Sequence, residues 1–144
     1  MGHTGRTTLA EEIGRGLMRA RRAMLVEARS RLERRGEDLL AWQALNQLEK
    51  HGPLAQNELA ERTGQHPTGL SRLLTDLERA KCVVRQRDDV DRRRVRVAIS
   101  RSGKARLAAG RPAVHEAVEL VLEPLGTLER RALRDLLGRI LDRA

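Results

Sequence analysis

The sequence has no phenylalanine and no tyrosine, and Trp42 is its single tryptophan. Leucine, valine and alanine must therefore fill any interior. The shortage also argues against binding single-stranded nucleic acid and against most sequence-specific RNA recognition, which use aromatic side chains as stacking platforms. Cys82 is the only cysteine, which excludes an intrachain disulfide framework and a cysteine metal cluster. Between apolar neighbours it reads as a small buried hydrophobe. Lys81 and Arg85 nearby keep open the alternative of a reactive thiol in an electropositive setting. His3, His51, His66 and His115 are not spaced as ligand pairs, so no metal site is expected. No phosphate-binding glycine loop, nucleophile motif or paired carboxylates occur, so neither catalysis nor a cofactor is expected. No apolar run reaches membrane-spanning length, and residues 1–20 lack the apolar core of a signal peptide, so we expect a cytoplasmic protein with no membrane partner.

What the sequence has in excess is arginine. Of 144 residues, 29 are basic against 20 acidic, a net charge of +9. The charge is unevenly placed. Residues 1–35 hold nine arginines against four acids, residues 36–61 one lysine against five acids, residues 62–106 thirteen basic residues against five acids, and residues 107–144 six of each. A localised basic stretch is the footprint of a polyanion-binding surface. The length fits one domain, or one core with an added subunit-contact layer.

The basic stretch coincides with the most organised part of the chain, residues 55–99. Leu70, Leu73, Leu74 and Leu77 recur at i, i+3, i+4 and i+7, one face of a helix over about residues 67–80. Thr68, Arg72, Thr75 and Arg79 mark the opposite face. One side is built for burial; the other offers hydroxyls and guanidiniums, the donors that read base edges and grip phosphates. A shorter helical pattern, about residues 56–63, precedes it across the turn Thr63-Gly64-Gln65-His66, and Pro67 suits the first helical position. Cys82–Val84 and Val95–Ile99 read as strands, and Asp88–Arg94 between them as a basic loop. This is the pattern of a winged helix-turn-helix that binds duplex DNA. Arg72 and Thr75 lie mid-face. Thr68 and Ser71 sit where a helix start meets bases or phosphates. Gln65 and His66 contact phosphate or simply form the turn, and Arg79 grips phosphate or complements the helix dipole. Arg92, Arg93 and Arg94 project from the loop, and alternation keeps all three from entering one groove. Asp91 is placed to hold the Arg93 guanidinium in a bidentate pair.

Around this motif the chain is helical. Thr7 or Thr8 caps a long amphipathic helix to about residue 35, with Leu9, Ile13, Leu17, Ala20, Met24, Ala28 and Leu32 on one face; residues 1–6 read as a flexible start. Asp38 caps a helix over 39–51 with Leu40, Ala41, Ala44, Leu45 and Leu48 inward. Trp42 packs in or beside the core with a partner for its indole N–H, or else lines a ligand pocket. Ser100 caps a helix over 101–123 with Leu107, Val114, Val118, Val121 and Leu122 inward. Thr127 caps a last helix with an apolar face of Leu128, Leu133, Leu136, Leu137, Ile140 and Leu141. The first and last helices carry more apolar face than a small domain needs, which predicts a two-fold dimer.

The order helix, helix, helix-turn-helix, wing, long helix, helix resembles the MarR family of bacterial transcriptional regulators over nearly the whole chain. The residues that carry the resemblance are Leu59-Ala60, Leu70-Ser71-Arg72-Leu73-Leu74-Thr75-Asp76-Leu77-Glu78, Asp91-Arg92-Arg93, and Ile99-Ser100 followed by Gly103. The Asp-Arg-Arg wing at this distance after the helix is the most specific of them. The resemblance implies a mainly α fold with a small β-wing: a winged-helix lobe over 36–100, and a helical dimerisation region formed by 7–35 and 101–144, in one domain of 1–144. It implies a homodimer on a pseudo-palindromic operator in double-stranded DNA, with the recognition helix in the major groove and Arg93 in the adjacent minor groove. It also implies that a small aromatic or anionic ligand, or an oxidant, lowers DNA affinity in many members. Some positions depart from the pattern. Lys81-Cys82 stands where members usually have Gly-Leu, so Lys81 is expected in a left-handed conformation unless the helix ends differently. Ala55 stands where a capping Ser or Thr is common, and His66 where a small polar residue is. A winged-helix adaptor for an acidic protein and a nonspecific DNA-coating protein are the competing functions.

Overall fold

The structure, a computed structural model, describes residues 7–143. Residues 1–6, including His3, lie outside the described residues. The elements in chain order are α1 (Leu9–Glu33), α2 (Leu39–His51), β1 (Leu54–Ala55), α3 (Gln56–Thr63), α4 (Pro67–Arg79), β2 (Val83–Arg87), β3 (Val95–Ile99), α5 (Arg101–Leu122) and α6 (Thr127–Leu141). The fold is mainly α with a small β-wing, the winged-helix class the sequence predicts. No described helix is long and apolar enough to cross a membrane.

The helix boundaries follow local chemistry. Thr8 Oγ1 accepts the Glu11 N–H at 3.2 Å while the Glu11 carboxylate takes the Thr8 N–H at 2.7 Å, a reciprocal cap on α1. Asp38 Oδ2 accepts the Ala41 N–H at 2.9 Å, and Ser100 Oγ accepts the Gly103 N–H at 3.1 Å, capping α2 and α5. The expected cap at Thr127 is corrected: Thr127 is the first residue of α6, Gly126 is the cap, and the Glu129 carboxylate accepts its N–H at 3.1 Å. Lys81 ends α4 in the left-handed region at φ 59°, the one described non-glycine residue there. The Cys82 N–H reaches back to the Leu77 carbonyl at 2.8 Å, the six-residue closure that normally places glycine at this point.

The chain divides into two compact units, residues 29–114 and residues up to 28 together with those from 115. In the first, Leu32, Leu39, Leu45, Leu48, Leu59, Leu70, Leu74, Leu77, Val83, Val97 and Leu107 are buried. The sheet is antiparallel with order β1-β3-β2. β2 pairs with β3 from Val83↔Ile99 to Arg87↔Val95, and β1 adds Leu54↔Val97 and Ala55↔Arg96. β2 thus runs three residues beyond the predicted strand, because Arg85, Gln86 and Arg87 pair on an arm whose polar side chains leave no alternation to read. Leu40 is corrected to an exposed position, 41% accessible, and Leu39 takes the inward place. On α5 the buried positions are Gly103, Leu107, Gly110, Ala113 and Ala117, while Val114 and Val118 are half-buried. Small residues at this spacing let the helix approach closely. A Cβ on Gly110 would lie 2.6 Å from Trp42 Cδ1.

In the second unit, α1 and α6 line an open apolar groove with Ile13, Leu17, Leu133, Leu136, Leu137 and Ile140. Arg130 ties this unit's helix ends together through Glu119 at 2.6 Å and the carbonyls of Leu122 and Leu125, both at 3.0 Å.

Candidate nucleic-acid interface

Helix α4 turns its leucines inward and leaves Thr68, Arg72 and Arg79 exposed, with Ser71 and Thr75 half-buried at the edges of that face. Its entry is set by the turn before it. Gly64 takes φ 67°, which glycine adopts without steric cost. His66 Nδ1 accepts the Thr68 N–H at 3.2 Å, so an imidazole does the work of the missing small cap. Gln65 Nε2 donates to the Leu40 carbonyl at 3.1 Å, anchoring the turn to α2.

The side chains of α4 fall into two groups. Arg72 has no hydrogen bond or ion pair to another described side chain, and Arg79 is only loosely paired with Asp76 at 3.9 Å, both ends widely exposed. Thr75 is engaged: its hydroxyl donates to the Ser71 carbonyl at 3.0 Å and accepts from Arg85 Nη2 at 3.0 Å. The hydroxyl is thus held in place at the edge of the exposed face. One acceptor lone pair of that hydroxyl remains for a further partner.

The wing is built by backbone capture. The Asp88 N–H reaches the Arg94 carbonyl at 2.9 Å, and the Asp88 carboxylate accepts the Val90 N–H at 2.9 Å. That bond holds the Asp88 carboxyl below the usual aspartate range. Asp91 supports the loop differently from the sequence expectation. Its Oδ1 accepts the Arg93 backbone N–H at 3.1 Å, an Asx turn, and does not pair with the guanidinium. The Arg93 guanidinium is therefore unpaired among the described residues. Arg93 and Arg94 border, with Gln56, Asn57, Pro67 and Val95, an open cavity of about 360 Å³. The wing root thus lies beside the first residues of α3 and α4. Arg92 does not line that space; its carbonyl accepts from Arg87 Nη1 at 3.1 Å. Sequence reasoning missed Gln56, Asn57, Glu78 and Arg85. The charges of Glu78 and Arg85, seven residues apart across the α4–β2 turn, were the available signal. The Arg85 side chain and backbone donate to the Glu78 carboxylate and hold it below the usual glutamate range.

Two further residues fall in the core of the 29–114 unit. Trp42 is buried and donates its indole N–H to the Leu107 carbonyl at 3.2 Å. Cys82 is buried too, its Sγ 3.9 Å from Arg106 Nη1, whose Nε pairs with Glu37 at 2.8 Å.

The MarR family model matches residues 37–94, from the start of α2 to the wing. A probable transcriptional regulator from Pseudomonas aeruginosa, known from its crystal structure, is 30% identical, with 92% of this chain and 99% of that one covered and a TM-score of 0.69. The chain belongs to the MarR family. Two further proteins are similar over most of the chain. The HTH-type transcriptional regulator FarR of Neisseria gonorrhoeae is 29% identical over 125 residues, covering 87% of this chain and 86% of FarR. NadR, solved in complex with 4-hydroxyphenylacetate, is 26% identical with a TM-score of 0.73, covering 97% of this chain and 96% of NadR. As a MarR family member the chain is a DNA-binding transcriptional regulator rather than a member of an enzyme family.

Proposed function

We propose that the protein is a homodimeric, ligand-responsive repressor that acts in the cytoplasm on a pseudo-palindromic duplex operator. Residues 36–100 serve as its DNA-binding lobe, and 7–35 with 101–144 as its dimerisation region, within one functional domain. The observation that carries the DNA reading is the exposed Arg72 on α4 together with Arg93 at a wing root that borders Pro67, the first residue of the same helix, both guanidiniums without a partner among the described residues. Arg72 and Thr75, with Thr68 and Ser71, enter the major groove. Arg93 and Arg94 follow the minor groove and its phosphates, and Gln65, His66, Arg79 and Arg92 lie at the phosphate margin. The open apolar groove of α1 and α6 supports the dimer. The 4-hydroxyphenylacetate complex of NadR supports a small aromatic acid as effector. Such an effector acts by binding one separation of the two recognition helices more tightly than another. Millimolar 4-hydroxyphenylacetate and related acids should weaken operator retention; no change with any of them would remove ligand response from the account.

Arg72 and Arg93 have separable expected effects. Arg93→Ala should weaken binding to all duplexes by similar factors and lower the slope of log K against log salt by about one. Arg72→Ala should narrow the gap between operator and random duplex, by about 1–3 kcal/mol for a bidentate base contact. Neither side chain belongs to the core, so both variants should melt like the parent. Salt titrations on operator and scrambled DNA check this. An unchanged affinity and slope for Arg93→Ala would mean the loop is no DNA-binding wing and would favour an adaptor for an acidic protein.

A further inference from the structure

Arg85 lies on β2, outside the recognition helix, yet its donors are aimed at α4. Its Nη2 donates to Thr75 Oγ1 at 3.0 Å and to Glu78 Oε1 at 3.4 Å. Its Nε donates to Glu78 Oε2 at 3.4 Å, and its backbone N–H meets the same oxygen at 3.1 Å. Thr75 and Glu78 are three residues apart and so share one side of α4. One strand residue thus grips a full turn of the recognition helix. Two residues along the strand, Arg87 reaches the Arg92 carbonyl at 3.1 Å, which continues the connection into the wing. The Arg85 side chain is only 20% exposed, and its Nε and Nη2 donors are committed to protein acceptors.

We propose that Arg85 is a positioning residue that fixes the wing hairpin to the recognition helix, so that both meet a duplex in one preset geometry, without itself touching DNA. The proposal rests on the duplex-binding reading above. A two-stranded arm has little packing of its own, and an unanchored wing would have to be ordered during binding. Anchoring it beforehand removes that entropic cost from association. Thr75 then serves as an acceptor inside the clamp, consistent with its occupied hydroxyl.

The test compares Arg85→Gln, Glu78→Gln and the double variant with the parent, on the duplex best retained from a random pool and on a scrambled duplex. Arg85→Gln should lower affinity for both by about tenfold while leaving the salt slope unchanged. It should also speed amide hydrogen exchange over residues 85–94 in the free protein. Glu78→Gln, a change at an exposed side chain that does not threaten folding, should reproduce much of the effect, and the double variant should lose little more than either single one. A slope reduced by about one in Arg85→Gln would identify a direct phosphate contact and overturn the proposal. So would unchanged affinity together with unchanged exchange. Were the parent to bind no duplex, the DNA reading would fall, and exchange would decide the clamp alone: faster exchange in both single variants upholds it, and parental rates refute it.

Discussion

Leu136→Glu is expected to convert the protein to a monomer and to lower its affinity for a two-half-site duplex by about 10²–10⁴-fold, because joined half-site contacts are lost when the subunits part. Leu136 and Ile140 are each 53% exposed on α6, beside Ile13 at 51% and Leu17 at 42% on α1. A row of large apolar side chains in that state marks a contact surface. A carboxylate placed there stays hydrated in the monomer, so folding is spared, but it would be stripped of water in a subunit contact. Sedimentation at micromolar concentration, with thermal melting as the folding control, checks the outcome. A variant that still sediments as a dimer with parental operator affinity would remove this face from the interface.

Gly103→Ala is expected to destabilise the 29–114 unit by about 2 kcal/mol or more. A Cβ at this position would lie 2.2 Å from the Cys82 carbonyl oxygen and 2.7 Å from Ile99 Cγ1. The first is backbone and cannot rotate away, and that same oxygen already accepts the Ser100 N–H at 2.9 Å. Overpacking of this kind costs about 1–3 kcal/mol where side chains yield and more where backbone must move. That exceeds the about 1 kcal/mol alanine gains over glycine in a helix. Thermal unfolding should show a midpoint lowered by about 8–16 °C for a unit of this size; a parental or higher midpoint would contradict the close junction between α5 and the α4–β2 turn. Gly69→Ala, where a Cβ meets nothing within 4 Å, is the matched control and should not destabilise.

The contrast between these glycines shows where the sequence is readable. The leucine period of α4 fixes its inward face, and Leu70, Leu74 and Leu77 are buried as that period requires. The caps at Asp38 and Ser100 are equally legible, while the sequence leaves Thr7 and Thr8 open and the reciprocal bonds with Glu11 select Thr8. The left-handed Lys81 was readable from a departure, a lysine standing where the family carries glycine. The buried stripe of α5 was not, because Gly103 and Gly110 have little hydrophobicity and the tertiary approach of Cys82 to the first and of Trp42 and Leu32 to the second gives them their place. β1 is two residues long and exists by pairing with β3, so no local pattern announces it. At the candidate site the residue types were legible and their partners were not. Asp91 holds a backbone N–H rather than a guanidinium, Thr75 is occupied by Arg85, and His66 is a cap.

The most direct test of the account is selection of bound sequences from a pool of random duplexes by the parent protein at near-physiological salt. A two-fold regulator with one recognition helix per subunit should enrich a pseudo-palindrome whose half-sites lie about one helical turn apart, 10–10.5 base pairs. Retention of duplexes without enrichment, or no retention at all, would contradict sequence-specific binding, the first outcome pointing to a DNA-coating protein and the second to a protein adaptor.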